Sequence, residues 1–570
     1  QDDFKALKFY QKACDLNFSG GCSQLGYLYG KGKGVKQDDF KALKFYQKAC
    51  DLNFSSGCSI IGYLYGRGKG VKQDDFKALK FYQKECDLNL GVSCSQLGLM
   101  YEKGKGIKQD DFKALKFYQK ACDLNDGSGC SNLGFMYEEG KGVKQDDFKA
   151  LKFYQKACDL NDGNGCSNLG LSYEEGKGIK QDDFKAFKFF QKACDLNNGS
   201  GCSNLGVMHE KGKGVKQDDL KALKFYQKAC DLNYGSGCSN LGVMHEKGKG
   251  VKQDDLKALK FYQKACDLND DSGCSNLGLM YEEGKGVKQD DLKALKFFQK
   301  ACDLNSGGGC SNLGVMYEKG KGVKQDDLKA LKFFQKACGL NDGSGCSQLG
   351  VMYEKGKGVK QDDFKALKFY QKACDLNSGG GCSNLGLSYE KGKGVKQDDF
   401  KALKFYQKAC DLNSGVGCFN LGLMYEKGKG VKQDDFKALK FFQKACGLNL
   451  GVGCSNLGLS YEKGKGIKQD DFKALKFYQK ACDLNDSNGC FNLGLSYKKG
   501  KGVKQDDFKA LKFFQKACDL NNGTGCSNLG FMYEEGKGVR KSNTKALKYY
   551  SKACDLEFAL GCKNYARLKK

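Results

Sequence analysis

The stretch ACDLNDGSGCSNLG, residues 121–134, decides the fold. It carries two cysteines, Cys122 and Cys130, with seven residues between them, and variants of it recur sixteen times along the chain. The companion motif QDDFKALKFYQKAC begins at Gln1, Gln37, Gln73 and Gln109 and returns every 36 residues as far as Gln505. Fifteen full periods end at Arg540, and a shorter sixteenth runs over residues 541–570. By length alone 570 residues suggest about four globular domains. Self-similarity at a fixed period overrides that prior. The expectation is a single repeat array over 1–570: fifteen 36-residue repeats, 1–540, and a C-terminal capping repeat, 541–570.

One period, residues 109–144, reads as two helices. Asp110 and Asp111 open the first, where carboxylates cap free N–H groups and favour the positive end of the helix dipole. Phe112, Ala114, Leu115, Phe117, Tyr118, Ala121 and Cys122 share an apolar face at helical spacing, with Lys113, Lys116 and Lys120 as a solvated stripe opposite. Asn125 and the glycines after it suit a left-handed helix end. A second, shorter helix is predicted from about Gly129 to Glu139, with Cys130, Leu133, Gly134 and Tyr137 on one face. Gly134 costs a helix about 1 kcal/mol against Ala, and its return in fifteen repeats marks a close helix–helix contact. Gly140 and Gly142 then turn the chain, and Val143 folds back onto it. The fold class is therefore all-α: a right-handed α/α superhelical solenoid of helix-turn-helix repeats. Layers about 10 Å apart give sixteen units a contour on the order of 150 Å.

Cysteine number points the same way. There are 32 cysteines for sixteen repeats, an even set at fixed spacing, which reads as a disulfide framework of an oxidising compartment. Cys122 ends one helix and Cys130 starts the next, so a bridge across the link is geometrically reasonable, with Cα atoms about 5–6 Å apart. A zinc site wants closer ligand pairs and usually His, and the chain has two His, so no metal and no cofactor is expected. The net charge of +27 is spread along the repeats, with no separate basic tail. No run of apolar residues is long enough for a transmembrane segment. The chain lacks a starting Met and a visible signal peptide, and it starts inside a hairpin; it reads as mature or trimmed, which leaves export open.

The pattern C-S-N-L-G-x-x-Y-E-x-G-K-G-V followed by Q-D-D-x-K-A-L-K-F-Y-Q-K-A-C-D-L-N resembles the Sel-like, tetratricopeptide-like repeats of the Helicobacter cysteine-rich proteins, over essentially all of the chain. That resemblance implies one disulfide per repeat and a secreted or periplasmic protein. The bridges would be Cys14–Cys22, Cys50–Cys58, Cys86–Cys94, Cys122–Cys130, Cys158–Cys166, Cys194–Cys202, Cys230–Cys238 and Cys266–Cys274. They would continue with Cys302–Cys310, Cys338–Cys346, Cys374–Cys382, Cys410–Cys418, Cys446–Cys454, Cys482–Cys490, Cys518–Cys526 and Cys554–Cys562. The resemblance also implies either a scaffold for protein contacts or a penicillin-binding or weak β-lactamase activity.

Differences among repeats suggest where binding resides. The links between paired cysteines vary most, as in Phe18-Ser19-Gly20, Leu90-Gly91-Val92, Asp162-Gly163-Asn164, Tyr234-Gly235-Ser236 and Asp486-Ser487-Asn488. That is either drift in an exposed link or an edge with graded contacts. A ladder of Asn132, Asn168, Asn204, Asn240, Asn276, Asn312, Asn384, Asn420, Asn456, Asn492 and Asn528 occupies one position of the second helix, and Glu138 and Glu174 represent another. Both lie away from the Cys–Leu–Gly–Tyr face. By the resemblance, the Asn ladder faces the concave groove, where its amides would pair with the backbone of a protein or peptide ligand. The alternative is that each Asn serves its own helix start or a neighbouring link. His209 and His245 fill Tyr slots and read as tolerated replacements.

For the enzyme reading, Ser388, Ser460, Ser496 and Ser542 each precede a Lys by three residues, as a serine β-lactamase requires. The S-D-N and K-T-G elements are absent, and the first three serines fill the slot that Met136 and Leu28 hold elsewhere. No catalytic constellation emerges. The expectation is a secreted or periplasmic scaffold for protein or peptide binding. Its lysines would also attract acidic surfaces or glycans, and the export argument disfavours nucleic acid.

Overall fold

The computed structural model describes residues 2–570, with the side chains of Asp2, Ser55 and Ser56 left aside. Its described residues form α-helices joined by turns, from α1 (Asp2–Asp15) to α32 (Ala559–Lys569), two per repeat. In the fourth repeat these are α7 (Asp111–Asp123) and α8 (Gly127–Glu139), both 13 residues long. The second helix is thus as long as the first and begins two residues earlier than its pattern suggested. The reason is local: Asp126, in the link, is its N-cap, and the Asp126 Oδ1 accepts the Gly129 N–H at 2.7 Å.

The predicted helix ends hold. Asp110 Oδ1 accepts the Lys113 N–H at 2.9 Å, Asn125 takes φ 59° after the first helix, and Gly140 takes φ 67° after the second. The left-handed Asn lets the chain reverse at once. The Asp126 N–H bonds Ala121 O at 3.0 Å, which brings Cys122 and Cys130 together. Every repeat has its bridge, sixteen in all. No cysteine among the described residues is free. The Cys122 and Cys130 Cα atoms are 4.5 Å apart, tighter than a typical cystine, because the glycine of Gly129 rests on the Ala121 methyl.

The chain divides into two compact units, Gln1–Gln289 and Asp290–Lys570. Within each unit the layering is the same. An odd-numbered helix packs against the even-numbered helix of its own repeat and against that of the repeat before, and successive even-numbered helices touch, as α8 and α10 (Gly163–Glu175) do in the first unit. Ala114, Tyr118, Ala121, Cys122, Cys130, Leu133 and Met136 are fully buried in this stack. Gly134 is the close contact between repeats: a Cβ there would lie 2.7 Å from the ring of Tyr154 in the next repeat.

Two sequence expectations need correction. Phe112 is not part of the core; it is 56% exposed, and Lys116 Nζ lies 4.5 Å from its ring centre. The apolar face is wider than the neighbouring layer can cover, so its first residue overhangs. Nor are the three lysines one solvated stripe. Lys120 reaches back one repeat and donates to Cys86 O at 2.6 Å, a cation on the carbonyl end of the previous odd-numbered helix. Lys156 and Lys192 repeat the contact on Cys122 O and Cys158 O.

Candidate functional site

The even-numbered helices carry the face to which sequence assigned binding. All eleven predicted asparagines are half-buried there. Some amides are already engaged: Asn456 donates to Val452 O at 2.9 Å, Asn528 to Thr524 O at 3.0 Å, and Asn384 to Ser347 Oγ at 3.4 Å. These three asparagines serve their own helix or the adjacent repeat. One helical turn further on stands a position that pattern reading passed over: Leu99, Phe135, Leu171, Val207 and their equivalents are partly exposed along the same face. Its signal was present, since the position is Leu, Val or Phe in thirteen repeats yet falls outside the face of Leu133 and Gly134. Asn and apolar residue stand together in eleven repeats.

The glutamates do not point outward as a free ladder. Glu138 Oε2 accepts the Tyr154 hydroxyl at 2.7 Å, and its Oε1 accepts Lys177 Nζ at 3.2 Å, both from the next repeat. The clamp recurs at Glu210 with Tyr226 and Lys249, and at Glu354 with Tyr370 and Lys393. Burial pushes the Glu210 carboxyl upward, but the Lys249 ammonium and the Tyr226 hydroxyl outweigh it and hold it below the usual carboxylate range. Where Lys498 replaces the glutamate, Phe514 replaces the tyrosine, so no hydroxyl is stranded. There the clamp lysine, Lys537, meets a like charge, and burial with Lys537 draws the Lys498 ammonium down. Lys498→Glu is expected to restore the ion pair to Lys537 and raise stability by about 0.5–1 kcal/mol, less in high salt. A urea midpoint that falls instead would show that Lys498 is not a broken clamp.

The variable links are partly a capping device. Asp126, Asp162, Asn198 and Ser306 cap the following helix, whereas Phe18, Leu90 and Tyr234 supply no side-chain cap. Links also pair between repeats: Ser128 Oγ donates to Asp162 at 3.1 Å, and Asn198 Nδ2 to Asn164 at 2.8 Å. The third repeat has its own solution. Glu85 replaces the usual Ala and is fully buried, and Ser93 replaces the usual Gly and donates to it at 2.5 Å. Burial pushes the Glu85 carboxyl up, against the pull of Ser93 and Ser59.

The serines of the S-x-x-K pattern are occupied. Ser388, Ser460 and Ser496 are buried, each donating at 3.0 Å to the carbonyl four residues earlier in its own helix, while Lys391, Lys463 and Lys499 point into solvent. Ser542 caps α31 (Asn543–Asp555) by accepting the Lys545 N–H at 3.3 Å. The first three serines are thus packing residues of their helices, as the Met136 slot they fill suggests. His209 and His245 stack on Phe225 and Phe261 at 5.4 Å between ring centres, as Tyr137 does on Phe153 at 5.5 Å. No helix among the described residues is long and apolar enough to cross a membrane.

This architecture can be set against known proteins. The chain is similar to a protective antigen of uropathogenic Escherichia coli with an SLR fold: 25% identity, 86% of this chain and 97% of that one, TM-score 0.45. Against Helicobacter pylori cysteine rich protein B the identity is 41%, over 24% of this chain and 97% of that one, with a TM-score of 0.21. A Sel1 repeat protein from Oxalobacter formigenes is 22% identical over 43% of this chain and 96% of that one, TM-score 0.38. Comparison with curated protein sequences gives no match. The Sel1 repeat pattern itself matches in sixteen consecutive segments, from residues 1–18 and 19–54 through to 524–558. Each complete segment pairs an even-numbered helix with the odd-numbered helix after it, the same units that Gly134 and Tyr154 lock together. The chain belongs to the Sel1 repeat family.

Proposed function

We propose that this protein is a binding scaffold for an extended peptide or a protein surface, and that it works in the periplasm or outside the cell. The observation that carries the binding role is the face of the even-numbered helices. In successive layers it offers a half-buried amide and, one turn away, a partly exposed apolar side chain. Amides that donate and accept at once suit a peptide backbone, and apolar steps between them suit its side chains. The side on which like helices touch is the inner side of a stacked layer, which favours a groove there. Compartment rests on the cystines, since a cytosolic reductant pool would work against a framework that pairs every cysteine.

The test starts with a partner retrieved from periplasmic or host extracts by the immobilised chain and then purified. Replacing Asn132, Asn168, Asn204 and Asn240 together by Ala is expected to weaken its binding at least about tenfold, each lost hydrogen bond contributing on the order of 1 kcal/mol. Titration calorimetry reads the change. Unchanged affinity in that variant, with loss on replacing Phe112, Phe148 and Phe184 by Ser, would move binding to the odd-numbered helices and remove the groove.

A further inference from the structure

The sixth repeat departs from the others at two adjoining positions. Phe187 is the one Phe where every other repeat has Leu, and His209 stands in the slot that holds Tyr in all but one of the other repeats possessing an aromatic ring there. The two side chains meet edge to face, with ring centres 5.5 Å apart at 83°. His209 also lies flat on Phe225 of the next repeat, at 8°. In most other repeats a Tyr ring fills this place, and Lys113, for example, stands over the Tyr101 ring at 5.4 Å. Imidazole is shorter than phenol, and here an open cleft of about 520 Å³ lies beside it, between α11 (Asp183–Asp195), α12 (Gly199–Lys211) and α13 (Asp219–Asp231).

The lining has a definite chemistry. Phe187, Phe225, Val215 and the imidazole make its walls, and the other lining residues are Lys221, Lys224, Lys228 and Gln191, with no carboxylate. Lys228 is committed to Cys194 O at 2.8 Å and Gln191 to Asp195 at 3.0 Å. Lys221 is held only loosely, 4.0 Å from Asp218 and largely exposed. Lys224 is freer still: the phenyl ring on which Lys116 and Lys188 rest in their repeats is replaced by Leu220, and among the described residues Lys224 has neither an ion pair nor a ring contact. An aromatic wall beneath two available ammonium groups, without a competing acid in the lining, selects a planar ring that bears a negative charge.

We propose that this cleft binds an aromatic carboxylate, its ring entering between Phe187 and Phe225 against the His209 imidazole and its carboxylate pairing with Lys224 and Lys221 at the rim. The proposal stands apart from the Asn-bearing face. The ligand is either a free aromatic acid or the C-terminal aromatic residue of a peptide chain, since both present the same ring and carboxylate.

The test uses the full oxidised chain and N-acetyl-L-phenylalanine, with binding followed by ligand-observed NMR. Saturable binding is expected, weakened about tenfold or more by His209→Tyr, which refills the cleft with the ordinary repeat residue, and similarly by Phe187→Leu. His245→Tyr, one repeat on, is expected to change nothing. The methyl ester of the probe should bind about tenfold more weakly, because the charge-assisted bonds are lost. The variants restore residues that other repeats carry, so folding is retained, and thermal melting checks it. No saturable binding by the unmodified chain, equal binding by a folded His209→Tyr chain, or equal binding of the ester would each overturn the proposal. A Gly-Ser-Gly-Ser-Gly-Phe peptide with a free carboxylate identifies the source. Binding at least as tight as that of the probe points to a peptide terminus, and exclusion of the peptide while the probe binds points to a free acid.

Discussion

Reduced and alkylated, the chain is expected to lose most of its helix at about 37 °C, while reductant alone acts slowly on the native protein. Both halves follow from where the cystines lie. Each bridge closes a loop of nine residues, and constraining that loop in the unfolded chain is worth about 2.5 kcal/mol. Each repeat depends on it, because the link it spans is rich in glycine and the chain contains no proline to stiffen it. Repeated along the array, the loss exceeds the roughly 5–15 kcal/mol that holds an ordinary domain. The sulfurs are also inaccessible: Cys122, Cys130, Cys266 and Cys274 are all fully buried, so a thiolate has to wait for a local opening. Far-UV circular dichroism across a thermal ramp, before and after reduction in denaturant and alkylation, measures the effect. A modified chain that melts within a few degrees of the oxidised one would show that packing between repeats, not the bridges, holds the fold.

The second large effect is a change of sign within one helix. In α18 (Gly307–Lys319), Gly314→Ala is expected to destabilise by about 1–3 kcal/mol despite the better helix propensity of alanine. A Cβ at Gly314 would lie 2.7 Å from Phe334 Cε1, and Phe334 is fully buried with nowhere to retreat. Gly308→Ala, in the same helix, is expected to stabilise by about 0.5–1 kcal/mol, because nothing lies within 4 Å of the new methyl. Urea denaturation of the two variants settles the matter. If both stabilise, the glycine row is a propensity defect and not the seat of the next repeat's aromatic ring.

That glycine row shows how far pattern reading goes. Gly134 was legible as a contact because a helix-weakening residue returned at one position through fifteen repeats. Its partner was not legible. Tyr154 lies in the next repeat, and sequence carries no direct record of which face of a neighbour arrives there. Glu138 and Lys120 teach the same lesson. Both sit on faces that helical angles mark as polar, yet both reach across repeats, to Tyr154 and Lys177 and to Cys86 O. Phe112 erred the other way, counted into the core by its angle and left overhanging by the depth of the next layer.

What is local was legible in the residues: the period and the helix ends at Asp110, Asn125 and Gly140, with a bridge across each link geometrically reasonable and its pairing implied by the family resemblance. Those features depend on backbone dihedrals, caps and short loops, whose physics is contained within a dozen residues. The packing of the layers settled what the residues left open: which apolar positions stay uncovered, which charges clamp neighbouring repeats, and that Phe187, His209 and Phe225 line one open cleft. These follow from the distance and angle between stacked layers, which are set by side-chain volumes summed across the interface and not by any single residue's spacing.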